Sequence, residues 1–312
     1  MAYPISTSIH LMFDKSFERP IEEQVTRIVK NGFEYLDFNF LDWFWDKRSP
    51  FINDGWEGWV ERAGEAADKL GARFNQAHAP CPCLTCSRDP ELLLEYDRRA
   101  VIGSSKLGIP WMVYHAIQYP EVFAGKYMGI FEYNREFFKP IQELAHKYNV
   151  GIAIENIWPV FEDTPYSKTE GLISLVDSFE DPLVGICWDT GHGNLTCNSH
   201  NHKRHNRPDL LPLGDQYANI TKLGRRLKCL HIDDNNGMDD DHITPFFGTI
   251  DWKDVIRALD DIGYEHSFTF EAHNCIHRML DAGCGGETID LTIRLLHAVG
   301  EQLVGMSRTS GS

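Results

Sequence analysis

The sequence contains no run of eighteen apolar residues, and Met1 to Phe13 has no basic start leading into a long apolar core. A membrane-spanning helix and a secretory signal are therefore not expected, and the sequence predicts a protein of the cytoplasm. Positive charge is scarce: 30 Lys and Arg stand against 46 Asp and Glu, a formal net charge of -16. Such a chain repels phosphate backbones and anionic lipid, so neither a nucleic acid nor a membrane is an expected partner. No stretch rich in Pro, Gly or Ser divides the chain, and 42% hydrophobic residues over 312 positions can bury one large core. We read one domain over residues 1–306, with a flexible tail at 307–312. Eight cysteines are too few for a disulfide framework at this length, and Cys187 and Cys229 fall inside expected strands, so they read as reduced thiols. Cys81, Cys83 and Cys86 make a C-x-C-x-x-C cluster without a clear partner pair elsewhere, which reads as a loop more readily than as a metal site.

What is present is a repeated unit. Ile5 to His10 alternates strand formers with small polar residues, and Pro20 opens a helix with Ile21, Val25, Ile28 and Val29 on one face. Phe33 to Phe40 reads as a second strand, followed by a helix carrying Trp59, Val60, Ala63, Ala67 and Leu70; a third strand, Arg73 to Ala77, stops at His78. Asp89-Pro90 starts a helix running to about Leu107, ahead of a strand from Trp111 that stops at His115. A helix over 131–148 then precedes a strand from Val150 that ends in Glu155, and a helix near 169–179 precedes Val184 to Asp189. Leu227 to Leu230 reaches His231, Asp251 caps a helix ending at Gly263, and Ser267 to Phe270 reaches Glu271. A last helix places Ile289, Ile293, Leu296 and Val299 on one face. Eight strand-helix units, spaced roughly 35 to 45 residues apart, predict a single-domain α/β fold, the (β/α)8 TIM barrel, which gathers every strand's C-terminal end on one face. An open doubly wound sheet would scatter those ends along a crevice.

The strand ends read His10, Asn39, His78, His115, Glu155, Asp189, His231 and Glu271, with His192 just past strand six and Asp240 and His242 past strand seven. In Val184–His192 a buried-strand pattern turns into Asp189-Thr190-Gly191-His192, where the glycine lets the chain fold back and aim both side chains at one point. An ordinary Asp-Thr-Gly turn is the plainer alternative. Carboxylates mixed with imidazoles suit a divalent ion such as Mn, Co, Zn or Mg, and no thiolate stands at a strand end to favour a softer one. A lone histidine such as His10 reads as hydrogen-bonded structure, whereas ligand types at the ends of strands five to eight together read as a site.

The segments Gly151-Ile-Ala-Ile-Glu155-Asn156, Trp188-Asp189-Thr-Gly-His192, Leu230-His231-Ile-Asp233-Asp234, Asp240-Asp-His242, Gly248-Thr-Ile-Asp251-Trp252 and Phe270-Glu271 resemble the xylose isomerase-like TIM barrels of the sugar phosphate isomerase/epimerase family. The resemblance covers nearly the whole chain and is best from strand five onward. It implies one catalytic divalent metal ion, manganese first and then cobalt, magnesium or zinc, held by Glu155, Asp189, His231 and Glu271. It implies a sugar isomerase or epimerase in which Glu155 and Glu271 move a proton through a metal-held enediolate. His78, His115, His192 and His242 are then expected to bind the carbohydrate substrate, and a homo-oligomer is expected. Strands five and eight lie three places apart in the ring, so the two carboxylates can approach one ion from different sides, and proton transfer on two faces needs two bases.

Two other groups of the superfamily imply different chemistry. The endonuclease IV group resembles this chain at His78, His115, Glu155, Asp189, His192, His231, Asp240, His242 and Glu271, which would hold three zinc ions; the acidic chain, with no basic stripe to track phosphates, argues against that reading. The α subunits of C-glycoside deglycosidases use a similar metal site on an oxidised glycoside and pair with a small β subunit. Trp43, in Phe38-Asn-Phe40-Leu-Asp-Trp43-Phe44-Trp45, and Trp158 would then wall the mouth and stack on the ligand, or else only pack the loop. The loop Gly193 to Asp215 holds His200, His202, Lys203, Arg204, His205 and Arg207, a local basic island that reads as a solvated loop or, more sharply, as a lid or partner surface.

Overall fold

Side-chain alternation along the strands sets the architecture. The computed structural model describes residues 3–10, 19–44, 47–80, 90–117, 129–158, 165–197 and 215–307. Its strands are β1 Ile5–Ser8, β2 Tyr35–Asn39, β3 Arg73–His78, β4 Trp111–His115, β5 Gly151–Glu155, β6 Val184–Asp189, β7 Leu227–His231 and β8 Phe268–Phe270. They are hydrogen-bonded in the order β7-β6-β5-β4-β3-β2-β1-β8, every pair parallel. The ring closes where Ile232 bridges Phe270: the Ile232 N–H donates to Thr269 O (2.8 Å) and the Glu271 N–H to Ile232 O (3.1 Å). The expected single-domain (β/α)8 barrel is what forms, and its closure sets Glu271 beside the end of β7.

Around the ring lie α1 Ile21–Lys30, α2 Phe40–Phe44, α3 Trp56–Lys69, α4 Pro90–Lys106, α5 Ile130–Tyr148, α6 Thr169–Asp177, α7 Thr190–Cys197, α8 Gln216–Leu223, α9 Trp252–Ile262, α10 Asn274–Asp281 and α11 Gly286–Met306. Outward strand residues such as Ile152, Ile154, Ile186 and Leu230 join the large core under the helices, with Ile289, Ile293 and Leu296 of α11. Val113, Ala153, Cys187 and Cys229 form a separate buried cluster of small side chains. Because successive strand residues alternate faces, Glu155, Asp189 and His231 stand one step above Ala153, Cys187 and Cys229, on the same face. The bounds of the sheet thereby decide which polar residues meet.

Local signals fix the helix ends. Asp251 caps α9, accepting from the N–H groups of Lys253 (3.0 Å) and Asp254 (3.4 Å), and Gly263 ends it at φ +64°. Replacing Asp251 by alanine is expected to cost about 1 kcal/mol of stability, read from urea unfolding, with the site unaffected. Asn149 ends α5 in the left-handed region at φ 54°.

Three expectations are corrected. Strand one stops at Ser8, since Ser8 Oγ accepts from the His10 N–H (3.1 Å) and turns the chain. Strand two spans Tyr35–Asn39 and not 33–40, because Phe40 already begins α2 and Asn39 Oδ1 accepts from the Asp42 N–H (3.1 Å). The segment expected to be loop from Gly193 begins as helix: α7 runs to Cys197, and Asp215 caps α8 through the Ala218 N–H (2.6 Å). Residues 198–214, with the basic island, and Cys81, Cys83 and Cys86 lie outside the described residues. Ser307, placed in the tail from the sequence, is buried and its hydroxyl donates to Asp260 Oδ1 (2.5 Å). Among the described residues no helix is long and apolar enough to cross a membrane.

Candidate active site at the C-terminal mouth of the barrel

Glu155 ends β5, Asp189 ends β6, His231 ends β7 and Glu271 follows β8, and all four converge. His231 Nδ1 lies 3.1 Å from Glu155 Oε1, 3.2 Å from Glu271 Oε2 and 4.0 Å from Asp189 Oδ2. On one side of this central group His78 Nε2 and His115 Nε2 approach Glu155 Oε2 at 3.4 and 3.1 Å. On the other, Asp240 Oδ2 is 3.1 Å from His242 Nε2 and 3.5 Å from His192 Nε2. Ligand-type atoms of His78, His115 and Glu155, of Glu155, Asp189, His231 and Glu271, of His192, Asp240 and His242, and of Asp233, His242 and Glu271 each fall within 4.8 Å of one another. Every site residue named from the sequence except Trp43 and Trp158 enters one of these groups.

The donor chemistry fits divalent cations. Asp189 Oδ2 and Asp240 Oδ1 are buried carboxylate oxygens with no hydrogen bond among the described residues. Leaving such carboxylate oxygens unpaired in a low-dielectric interior is costly, and a cation is the partner that carboxylate and imidazole ligands together suit. Burial pushes the Asp189 carboxyl well above its usual range, and the neighbouring Asp233 adds to it. Burial would also raise Glu155, but His231 and His115 outweigh it and hold that carboxyl well below the usual range. His231 is lowered by burial yet raised further by Glu271 and Glu155, to about 10.

Two positions quoted from the sequence take roles that it did not reveal. Asn156 braces β6: its Oδ1 accepts from the Asp189 N–H (2.7 Å), its side-chain amide donates to Asp189 O (3.0 Å), and its carbonyl meets His192 Nδ1 (2.8 Å). Asp233, two residues past His231 and therefore on its face, is fully buried and lies 3.2 Å from His242 Nδ1. His273, two past Glu271, stacks on His242 with ring centroids 5.0 Å apart, and burial followed by the charge of His242 lowers its pKa to about 4. The two-residue strand period was the available signal for both.

The tryptophans differ. Trp158 lies 4.7 Å from the His192 ring, at the mouth. Trp43 is 1% exposed, packed on His10 (4.5 Å) and Trp59 (4.7 Å), so the expected stacking wall at this position is corrected to interior packing. His10 Nδ1 in turn pairs with Asp42 Oδ2 at 3.0 Å.

This fold and this ring of ligand types agree with the family comparison, in which the xylose isomerase-like TIM barrel profile matches residues 25–290. The chain belongs to that family. It is 27% identical over 201 residues to an uncharacterised protein of Methanocaldococcus jannaschii, 63% of this chain and 64% of the other, so it spans just under two thirds of that relative. Among solved structures, a D-tagatose 3-epimerase-like protein superposes with a TM-score of 0.66 at 20% identity, over 90% of this chain and 96% of the other. An L-ribulose 3-epimerase gives a TM-score of 0.69 at 15% identity, over 99% and 97%. Identities this low speak to the fold alone.

Proposed function

We propose that the protein is a divalent-cation-dependent sugar isomerase or epimerase, acting on a small carbohydrate. The observation that carries this reading is the convergence of Glu155 and Glu271, from β5 and β8, on one point with Asp189 and His231. Those four residues would hold the cation, manganese before cobalt, magnesium or zinc. When bound, such an ion polarises a carbonyl and stabilises negative charge on adjacent oxygens. One carboxylate takes the proton from the carbon beside the carbonyl, and the electron pair left there delocalises onto the carbonyl oxygen. The other carboxyl group returns a proton on the opposite face, which inverts that carbon. His192 and His242 would then bind substrate hydroxyls, and Trp158 offers a ring face beside His192. The similarity to structures described as sugar 3-epimerases supports the class, and the family resemblance carries with it the expectation of a homo-oligomer.

The test is deuterium transfer. Incubated with Mn and candidate ketoses in heavy water, the enzyme is expected to place solvent deuterium at the carbon beside the carbonyl, read by NMR or mass spectrometry. Turnover without deuterium at that carbon would point to a hydride shift or to elimination.

A second reading is favoured by one observation: His78, His115 and Glu155, and His192, Asp240 and His242, flank the central group as two further cation seats. That nine-residue set resembles the endonuclease IV pattern of three zinc ions. Metal analysis separates the two, one ion per chain for sugar chemistry and three for phosphodiester cleavage. The deglycosidase reading, with its small β subunit, loses one of its two ring walls with the burial of Trp43.

A further inference from the structure

Two residues of the Asp189-Thr190-Gly191-His192 turn, Thr190 and Gly191, have no part in the chemistry above, and both converge on Asp233. The Thr190 hydroxyl donates to Asp233 O (2.7 Å) and accepts from the Asp233 N–H (3.1 Å), fixing its backbone. Gly191 leaves the room that its carboxylate occupies: a Cβ there would stand 1.9 Å from Asp233 Oδ1. The carboxylate seated in this way is fully buried, and Oδ2 lies 3.2 Å from His242 Nδ1. The same Nδ1 lies 3.1 Å from Glu271 O, its hydrogen-bond acceptor, and the Asp233 carboxylate sits alongside as the ring's anionic neighbour. The opposite nitrogen, Nε2, then faces Asp240 Oδ2 (3.1 Å), the same oxygen that lies 3.5 Å from His192 Nε2. His242 reaches this pose with its backbone at φ 42°, in the left-handed region that a side chain adopts only when its surroundings hold it there.

We propose that Asp233 is a positioning residue, seated by Thr190 and Gly191, that holds the His242 imidazole by Nδ1 and presents Nε2 to the ligand bound at His192 and Asp240. The inference rests on the reading of this mouth as a cation-binding active site. A buried carboxylate behind an imidazole fixes which nitrogen carries the proton, fixes the ring's direction, and makes the free nitrogen a better donor. Asp189-Thr-Gly-His is on this view one unit with two outputs: Asp189 and His192 face the site directly, and the two residues between them shape the seat of a third participant.

The experiment uses metal-free, histidine-labelled full chain at one fixed pH, with the His242 signals assigned from His242→Gln. Wild type is expected to show a slowly exchanging, far-downfield Nδ1 proton. Asp233→Leu is expected to move it upfield and speed its exchange, and the near-isosteric Asp233→Asn to fall between, since an amide oxygen still accepts a hydrogen bond. An Nδ1 proton unchanged in Asp233→Leu overturns the inference; if that variant does not fold, an unchanged signal in Asp233→Asn does so. A zinc titration against a chelating dye supplies the second arm. Asp233→Asn is expected to weaken, by about 10- to 100-fold, the ion that Asp240→Asn also weakens, and to spare the ion that Asp189→Ala removes. Equal zinc affinity in wild type and Asp233→Asn at an ion that Asp240→Asn does remove also overturns it. If Asp240→Asn removes no ion, the outer cation seat fails by itself, and the Nδ1 proton still decides the role of Asp233.

Discussion

Glu155→Gln is expected to lower turnover of the ketose by about 10²- to 10⁴-fold, the range that a positioned acid-base group supplies. Among the substitutions considered it should have the largest effect, because Glu155 sits at the junction of the site. Its two oxygens lie within 3.1 to 3.4 Å of His231, His192, His115 and His78, and it belongs to two of the four donor groups. Glutamine keeps the shape but can neither carry the proton nor offer an anionic oxygen. Glu271→Gln should lower net turnover by a smaller factor within the same range, yet leave deuterium exchange at the face served by Glu155. Metal content has to be measured beside both variants, since loss of the ion would silence the enzyme as completely as loss of the base. A Glu155→Gln enzyme that holds its metal and turns over within tenfold of wild type would remove this glutamate from the chemistry.

Asp189→Ala should separate metal binding from folding. Wild type held at about 100 times the Mn dissociation constant is expected to gain about 2.7 kcal/mol of stability, visible as a rise in Tm, and the variant to gain almost none. Without metal the variant should stay close to wild type, because two effects oppose each other. The lost carboxylate accepted the His192 N–H at 2.6 Å at the start of α7, a cap worth about 1 kcal/mol. The same carboxyl group is fully buried next to Asp233, which disfavours its ionised form, and removing it relieves that repulsion. Thermal melts with and without Mn measure both terms; an equal metal-induced rise in the variant would place the ion elsewhere.

Much of this site was legible in the sequence because the barrel turns order along the chain into position around a ring. A residue type that ends a strand must arrive at the mouth, so His78, His115, Glu155, Asp189, His231 and Glu271 could be named one at a time. His192 and Asp240 follow strand ends closely enough to share that placement. Trp43 did not: a tryptophan four residues past β2 can face the mouth or fold under it, and the choice belongs to Trp59 and His10, which come from other parts of the chain. The stretch after His192 reads as loop in the sequence because its composition is polar and glycine-containing, whereas Asp189 capping the N–H of His192 and the packing of α7 against the barrel make its first residues helical.

Local chemistry therefore determined the repeating strand-helix unit, its punctuation by Asp251, Gly263 and Asn149, and the set of carboxylates and imidazoles at the strand ends. These follow from a strand period of two, a helix period near 3.6 and capping rules that act within a few residues. Tertiary structure alone decided which of those ligand types share an oxygen. The bridge from Ile232 to Phe270 closes the ring and brings Glu271 to His231, and the bare Cα of Gly191 admits Asp233 behind His242. Distances of that kind depend on how strands far apart in sequence register against one another, and a one-residue slip would send each of these side chains to the other face.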